Sequence, residues 1–401
     1  MDRVFKGLKV IDAANYVAAP AAAVMLADFG ADVIKIEPPG SGDPYRHVYR
    51  MPNLPESEHN YGWNLAARNK RGIALDLKSP VGQAVLHRLV ADADVFITNQ
   101  SPQSRDRLGM DQPRLATLNP RLIYASLTGY GEAGPEAEKP GFDANAYWAR
   151  SGLADAIRPD PDGPPAVANL GIGDNPTAVT LYAAIVTALL HRERTGCGAW
   201  VTTSLLANGV WANSVMVQAA LYGAVVPYRR RREEARNALT CFYRCLDGRW
   251  FNLLLLQEAR DWPRFVQALD SSAVADDKRF VTVESRRLHA PALVRELDAV
   301  FAQRDSKEWQ RRFEHLDITV GVAARTADAL QDEQMRQARV LVQAEGSPSS
   351  GLIVDSPFHI VGMPKVPPRP APDLGEHADD ILAEAGYSPE EVAALRQAGA
   401  L

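Results

Sequence analysis

Short apolar strands alternate with helices through the first half of the chain, and this alternation limits the fold more than any other feature. Residues 8–13 (LKVIDA) read as a buried strand. Residues 15–19 form a loop, and Pro20 opens a helix that runs to Phe29 and stops at Gly30. Residues 32–37 (DVIKIE) supply a second strand, which completes a βαβ unit. Further strands are expected at 73–77 (IALDL), 94–98 (DVFIT), 121–126 (RLIYAS) and 201–205 (VTTSL). A helix from Ser79-Pro80 to Ala91 separates two of them. The pattern predicts the α/β class, with a parallel sheet covered by helices on both faces. Ligands of such sheets sit at the carboxyl ends of the strands, where Asn15, Asn99 and the turn at 129–134 fall.

The second half departs from this rhythm. Residues 208–222 read as helical, and the run RRRREEAR at 229–236 reads as a solvated linker that borders a second domain. That domain is expected to hold a hairpin at 240–256 turning at Asp247-Gly248. Helices near 260–269, 291–302 and 306–315 and a strand at 318–322 should complete it. PKVPPRPAP at 364–372 is an extended polyproline-type segment, and two short helices around 378–385 and 389–397 close the chain.

Composition excludes several classes. A net charge of −5 argues against a general nucleic-acid binder. The three cysteines, Cys197, Cys241 and Cys245, make neither an even disulfide set nor a zinc motif. A reducing cytoplasm is therefore the expected location. The opening MDRVFKGLKVIDAA has no secretory pattern, and no apolar run approaches the ~20 residues of a membrane span. The first βαβ unit lacks GxGxxG, which speaks against a nicotinamide dinucleotide.

Conventional catalytic groups are scarce. There is no GxSxG, no HExxH and no P-loop lysine, and the eight histidines are scattered. The segment GIGDNPT at 171–177 brings Asp174 to the mouth of a helix with Pro176 in its first turn. Val179, Tyr182, Ala183, Val186, Leu189 and Leu190 recur at helical spacing, and Gly196 suits the C-cap. Asp at this place has two readings. It is a preferred N-cap, and it is also a carboxylate nucleophile beside glycines that admit a substrate to the backbone. The lack of other groups makes Asp174 the leading catalytic candidate by elimination. Lys70, Arg71, Lys78, Arg105, Arg107 and Lys139 cluster at or after strand ends, as anchors for an anionic ligand would.

The segments GLKVIDAANYVAAPAAAVMLADFGADVIKIEPPGSGD, NKRGIALDLKSP, ADVFITN, RLIYASLTGYGEAGP, KPGFD, GIGDNPT and RERTGCG resemble the family III coenzyme A transferases. That family includes formyl-CoA, carnitine and bile-acid CoA transferases. The likeness extends to the tail LGEHADDILAEAGYSPEEVAAL. It implies a large Rossmann-like domain over residues 1–205, a linker at 206–235, a small α/β domain at 236–330 and a return segment at 331–401. It also implies an interlocked homodimer. The reaction it implies moves CoA from an acyl-CoA to a carboxylic acid through aspartyl anhydride and aspartyl-CoA intermediates on Asp174. CoA enters as part of the substrate, with no tightly bound cofactor and no metal. Neither nucleic acid nor membrane is an expected partner.

Residue by residue, the resemblance assigns Asn15, Tyr16, Val17 and Ala18 to a first CoA-contacting loop. Leu75 and Lys78 match positions near the adenine and its phosphates. Asn99, Gln100 and Arg107 match a second CoA segment, and Lys139 a further basic contact. Asp143, Phe142 and Gly173 match positions near the acyl group. Formyl-CoA transferase has a His and a Gln where this chain has Asn15 and Val17, and its mobile glycine-rich loop is replaced here by WFNLLLLQEARDWP at 250–263. Val17 and Phe142 point to an acyl group less polar than formate or oxalate. Two rivals are an α-methylacyl-CoA racemase and a non-catalytic CoA-binding protein. The racemase needs a His where this chain has Phe142, and Phe cannot carry a proton.

Overall fold

The computed structural model describes residues 3–226, 230–344 and 351–401. The chain divides into two compact units. One comprises Met1–Asp155, Val167–Val225 and Glu333–Leu401, and the other Ala156–Ala166 and Val226–Asp332. Helices Leu205–Ala212 and Ser214–Leu221, within the stretch assigned above to a linker, group with the first unit.

The first unit is built on a six-stranded sheet. Its strands are β1 (Lys9–Asp12), β2 (Asp32–Glu37), β3 (Arg71–Ala74), β4 (Val95–Thr98), β5 (Ile123–Thr128) and β6 (Ala199–Ser204). Their order is β3-β2-β1-β4-β5-β6, and every pairing is parallel. This is the doubly wound, Rossmann-like arrangement, in which the winding reverses between β1 and β4. Successive residues of a strand face opposite sides. Val10, Val33, Val95, Ile97 and Ile123 therefore pack under helices Ala18–Asp28 and Asp174–Thr195. Ile11, Ile34, Ile36, Ile73 and Phe96 pack under Pro80–Ala91 and the two C-terminal helices.

Local chemistry explains the element ends. Ser79 caps Pro80–Ala91 by accepting from the Gly82 N–H at 3.0 Å. Helix Ala18–Asp28 starts two residues before the expected Pro20, which sits in its first turn. β3 stops at Ala74, short of the expected Leu77. There Leu75 N–H donates to Glu37 O, and Asp76 N–H turns away to Ala400 O at 2.9 Å. The buried stripe of Asp174–Thr195 is Thr177, Ala178, Leu181, Ile185, Ala188, Leu189 and Arg192. Of the expected face, Leu189 is buried and Val179 and Tyr182 pack against the same core, whereas Ala183 and Leu190 are exposed, because this helix is apolar on more than one side. Gly196 takes the left-handed C-cap at φ 77°.

Charged residues are buried beneath the carboxyl edge of β1 and β2. Lys70 Nζ donates to Asp12 Oδ2 (2.7 Å), Pro20 O (2.8 Å) and Ala66 O (2.8 Å). Lys35 Nζ pairs with Asp43 Oδ2 at 3.0 Å and also donates to Ala14 O. Burial works against the Asp12 anion, but the charges of Lys70 and Lys35 outweigh it and hold the carboxyl below its ordinary value. The proline-rich return segment lies along the same unit. Val366 N–H donates to Asp28 O (2.7 Å), and Pro372 O accepts from Trp63 Nε1 (3.1 Å) and Arg46 (3.0 Å).

The second unit has an antiparallel sheet of β7 (Phe242–Arg244), β8 (Trp250–Leu253) and β9 (Val320–Val322). Helices Glu258–Leu269, Ala290–Phe301 and Ser306–His315 cover an aromatic core of Tyr243, Phe251, Phe265, Phe301, Trp309 and Phe313. The arginine run is not merely solvated. Arg231 pairs with Asp160 and Asp162, and Arg232 pairs with Asp298 at 2.7 Å. Arg229, at its start, lies outside the described residues.

Lys70→Met should cost about 3–5 kcal/mol of unfolding free energy, because it leaves Asp12 buried without its principal partner. Adding Asp12→Asn to that variant should recover part of the loss. Urea titration of the single and double variants checks both.

Candidate active site

The loops after β1 and β4 meet where the winding reverses. Asn15 N–H donates to Asn99 Oδ1 (2.9 Å), and Asn99 Nδ2 donates to Asn15 O (2.7 Å). Gln100 N–H is held by Thr98 Oγ1 at 3.2 Å. Tyr16 has φ +63°, a left-handed conformation rarely taken by such a residue, and its N–H is fixed by Asp43 Oδ1 at 3.1 Å. The Tyr16 ring meets Phe142 edge-on, with centroids 5.7 Å apart. Val17 and Ala18 are buried, and so is Leu75, whose side chain belongs to the core under Pro80–Ala91. Lys78 and Arg107 are exposed. Lys139 is paired with Glu136 at 2.9 Å and lies over the Tyr130 ring. Of the other basic candidates, Lys70 is consumed by Asp12. Arg71 pairs with Asp32 and Glu384, and Arg105 with Glu132.

A second constellation surrounds Asp174. The long helix begins at Asp174 itself, and its N-cap is Gly173, with no side-chain cap. Asp174 therefore does not act as a capping side chain, and among the described residues its carboxylate has no hydrogen bond or ion pair. Gly173 is required by crowding, because a Cβ there would lie 2.5 Å from Tyr147 Cγ. Gly129 and Gly141 approach so closely that a Cβ on either would lie 2.6 Å from the other's Cα. That contact presses the turn after β5 against the segment leading to Asp143. Asp143 opens a π-helical stretch, Asp143–Ala149, that no sequence pattern announced. Its buried carboxylate accepts the Gly171 N–H at 2.8 Å. Ile172 N–H goes to Asn169 O and Asn175 N–H to Gly171 O. Among the described residues, the N–H groups of Gly173 and Asp174 are the ones in this turn that donate to no other part of the chain.

The electrostatics follow from this packing. Burial, and then the negative charge of Asp143, push the Asp174 carboxyl up to about 7. Tyr45, on helix Tyr45–Val48, was not singled out from the sequence, where it lies in an irregular polar stretch. Burial and then Asp174 push its phenol up to about 12. Trp63, an aromatic near this region, is a structural residue. It is buried under the Arg46 guanidinium, 4.0 Å from the ring centroid. No three His, Cys, Asp or Glu side chains among the described residues are grouped to hold a metal ion. No helix there is long and apolar enough to cross a membrane.

Comparison with known proteins identifies the class. The model for CoA-transferase family III matches residues 5–378. The chain belongs to this family and is a CoA-transferase. It is 32% identical to the (R)-2-hydroxy-4-methylpentanoate CoA-transferase of Clostridioides difficile, over 97% of each chain. It is also 32% identical to the cinnamoyl-CoA:phenyllactate CoA-transferase of Clostridium sporogenes, over 98% of this chain and 96% of that one. A CAIB/BAIF family protein from Brucella suis has the same fold, with a TM-score of 0.86 and 27% identity over 96% of this chain and 100% of that one.

An unfolded Asp174 ionises near 3.8, whereas the folded one resists ionisation up to about 7. Its contribution to stability therefore falls as pH rises between those values. Asp174→Asn should stabilise the fold by about 4 kcal/mol at pH 8 and have little effect near pH 3, as read by denaturant unfolding at the two pH values.

Proposed function

We propose that Asp174 is the nucleophile of acyl-CoA:carboxylate CoA exchange. The observation that carries this reading is a largely buried carboxylate without a partner, at the start of a helix and between glycines. A carboxylate oxygen of Asp174 attacks the thioester carbonyl carbon. A C–O bond forms, the C–S bond breaks, and CoA leaves as thiolate. The thiolate then attacks the aspartyl carbonyl, expels the acyl group as its carboxylate and leaves an aspartyl-CoA thioester. The acceptor acid repeats these steps in reverse. Splitting the exchange in this way replaces one difficult step with several easier ones. The free N–H groups of Gly173 and Asp174, at the positive end of the helix, are suited to stabilise the developing oxyanion.

Asn15, Tyr16, Val17 and Ala18, together with Asn99 and Gln100, form the CoA cradle in this reading. The paired Asn15–Asn99 hydrogen bonds across the strand reversal support it. Lys78 and Arg107 have the exposure that phosphate contacts need, and Lys139 would first have to leave Glu136. Leu75 can contribute only through its carbonyl, since its side chain is core and its N–H is held by Glu37 O. The acyl group is apolar in its chain. The buried Val17 and the Tyr16–Phe142 ring pair support this, as do relatives named for a branched 2-hydroxy acid and for phenyllactate. Phe142 in place of a proton carrier argues against a racemase. We also propose a cytoplasmic homodimer. Helix Ser214–Leu221 has no buried residue, although Val215 and Leu221 are 72% and 75% exposed, and such apolar surface calls for a partner.

Treatment with an acyl-CoA and hydroxylamine should leave a hydroxamate on the peptide containing Asp174, detected by mass spectrometry, and Asp174→Ala should abolish both adduct and exchange. Only the ionised carboxylate attacks, so the rate of adduct formation in the free enzyme should rise with pH through about 7. Asp143→Asn removes one cause of the raised value and should move that midpoint down. An active enzyme with an unmodified Asp174 peptide would sink the covalent route.

A further inference from the structure

Thr177 carries the one hydroxyl on the buried stripe of helix Asp174–Thr195. Its side chain is fully buried, where valine would have nearly the same shape and no polar group. The hydroxyl donates to Gly173 O at 2.8 Å, and the Thr177 N–H donates to the same oxygen at 3.2 Å. The other threonines of this helix, Thr180, Thr187 and Thr195, are exposed. Thr187 and Thr195 make the ordinary bond to the carbonyl four residues back, on Ala183 and His191. Thr177 makes a bond of the same type, but its acceptor belongs to the peptide that joins Gly173 to Asp174.

That peptide is the one in the turn that most needs restraint. Glycine has the freest backbone of any residue, and Gly173 must be glycine because a Cβ would lie 2.5 Å from Tyr147 Cγ. The Tyr147 ring closes one side of it, and the Thr177 hydroxyl holds its carbonyl. A peptide unit is planar and trans, so its C=O and N–H point in opposite directions. Fixing Gly173 O toward the first turn therefore aims the Asp174 N–H out of the amino end of the helix. A carbonyl that accepts two hydrogen bonds also makes the N–H of its own unit a stronger donor. Among the described residues that N–H donates to no other part of the chain.

We infer that Thr177 is a positioning residue for the exchange, its hydroxyl holding the Gly173–Asp174 peptide so that the Asp174 N–H faces the thioester oxygen on which negative charge develops. This rests on the acyl exchange at Asp174 proposed above. No bond to Thr177 forms or breaks, and the residue acts through the peptide alone. The thioester oxygen gains charge only as Asp174 attacks, so an aimed N–H stabilises the transition state more than the bound donor. Thr177 therefore governs the maximal rate and not donor binding. The raised Asp174 carboxyl has burial and Asp143 as its causes, so loss of the Thr177 hydroxyl leaves its ionisation in place.

The test reads the rate of hydroxylamine-trapped adduct at Asp174 against the concentration of 2-hydroxy-4-methylpentanoyl-CoA, for the native chain, Thr177→Val, Thr177→Ser and Thr187→Val. Thr177→Val should lower the maximal rate by about tenfold, less than the roughly hundredfold lost with an oxyanion donor itself, because the N–H remains but is no longer aimed. The half-saturating concentration should change by less than about twofold. The rate should still rise with pH through about 7. Thr177→Ser keeps the hydroxyl and should stay within about threefold of the native rate. Thr187→Val removes an exposed bond of the same type and should match the native chain. Should Thr177→Val melt below the assay temperature, Thr177→Ala takes its place beside Thr177→Ser. An unchanged maximal rate without the hydroxyl, a loss confined to half-saturation or a shifted pH midpoint would each overturn the inference. An equal loss in Thr177→Ser or in Thr187→Val would also overturn it. No adduct from the native chain would remove the exchange reading and this inference with it, a result distinct from an adduct that forms equally fast in every variant.

Discussion

Two buried lysines hold the carboxyl edge of the sheet together from beneath. Lys70 joins the end of β1 to the start of helix Ala18–Asp28 and to helix Tyr61–Ala67, through Asp12, Pro20 O and Ala66 O. Lys35 joins the loop after β1 to Asp43, which in turn fixes the N–H groups of Tyr16 and Tyr45. Buried ion pairs are weak contributors to net stability, but an unpaired member is heavily penalised. Alternative placements of this loop would break the set and leave a charge stranded. The network therefore acts less as a source of stability than as a device that permits one arrangement. That arrangement includes a strained Tyr16 at φ +63°, whose N–H Asp43 holds. That strain opposes folding locally, and Asp43 keeps it in place through the Tyr16 N–H.

The architecture was largely legible in the sequence, and the site only in part. Strands β1, β2, β4 and β5 announce themselves as short apolar runs because they are covered on both faces. The strand order was not legible, since pairing depends on contacts between residues far apart in the chain. Helix Asp174–Thr195 was found by its turn and its C-cap glycine, and its buried face only in part, through Leu189, Val179 and Tyr182. Tyr182, Val186 and Leu190 are apolar yet lie beside the core stripe, and apolar periodicity cannot rank two such faces. Lys70 read as an anion anchor and is a core residue, because nothing local signals that Asp12 will sit opposite it. The close approach of Gly129 to Gly141 and the π-helical stretch after Phe142 are tertiary consequences. Each of those residues, read alone, is compatible with an ordinary turn.

Asp174 gathers these constraints at one atom pair. The sequence left two roles open for it, and the structure removes one, since the helix is capped by Gly173 and not by the Asp174 side chain. What remains is a carboxylate desolvated by packing and repelled by Asp143, whose own charge is engaged by the Gly171 N–H. Tyr147 behind Gly173 keeps the turn from relaxing. Asp143 therefore both shapes the turn, through its hydrogen bond, and disfavours the anion at Asp174, through its charge.

On the proposed exchange route, that unfavourable anion has a chemical use. A carboxylate in water is a weak nucleophile because its charge is well solvated. Packing withholds part of that solvation from Asp174, and acylation converts the charge to a neutral anhydride and then a neutral thioester. Each adduct relieves the repulsion with Asp143, so the covalent states gain relative to the free carboxylate. The same packing limits access of water to those adducts. That shielding comes with a carboxyl that is only half ionised near neutral pH.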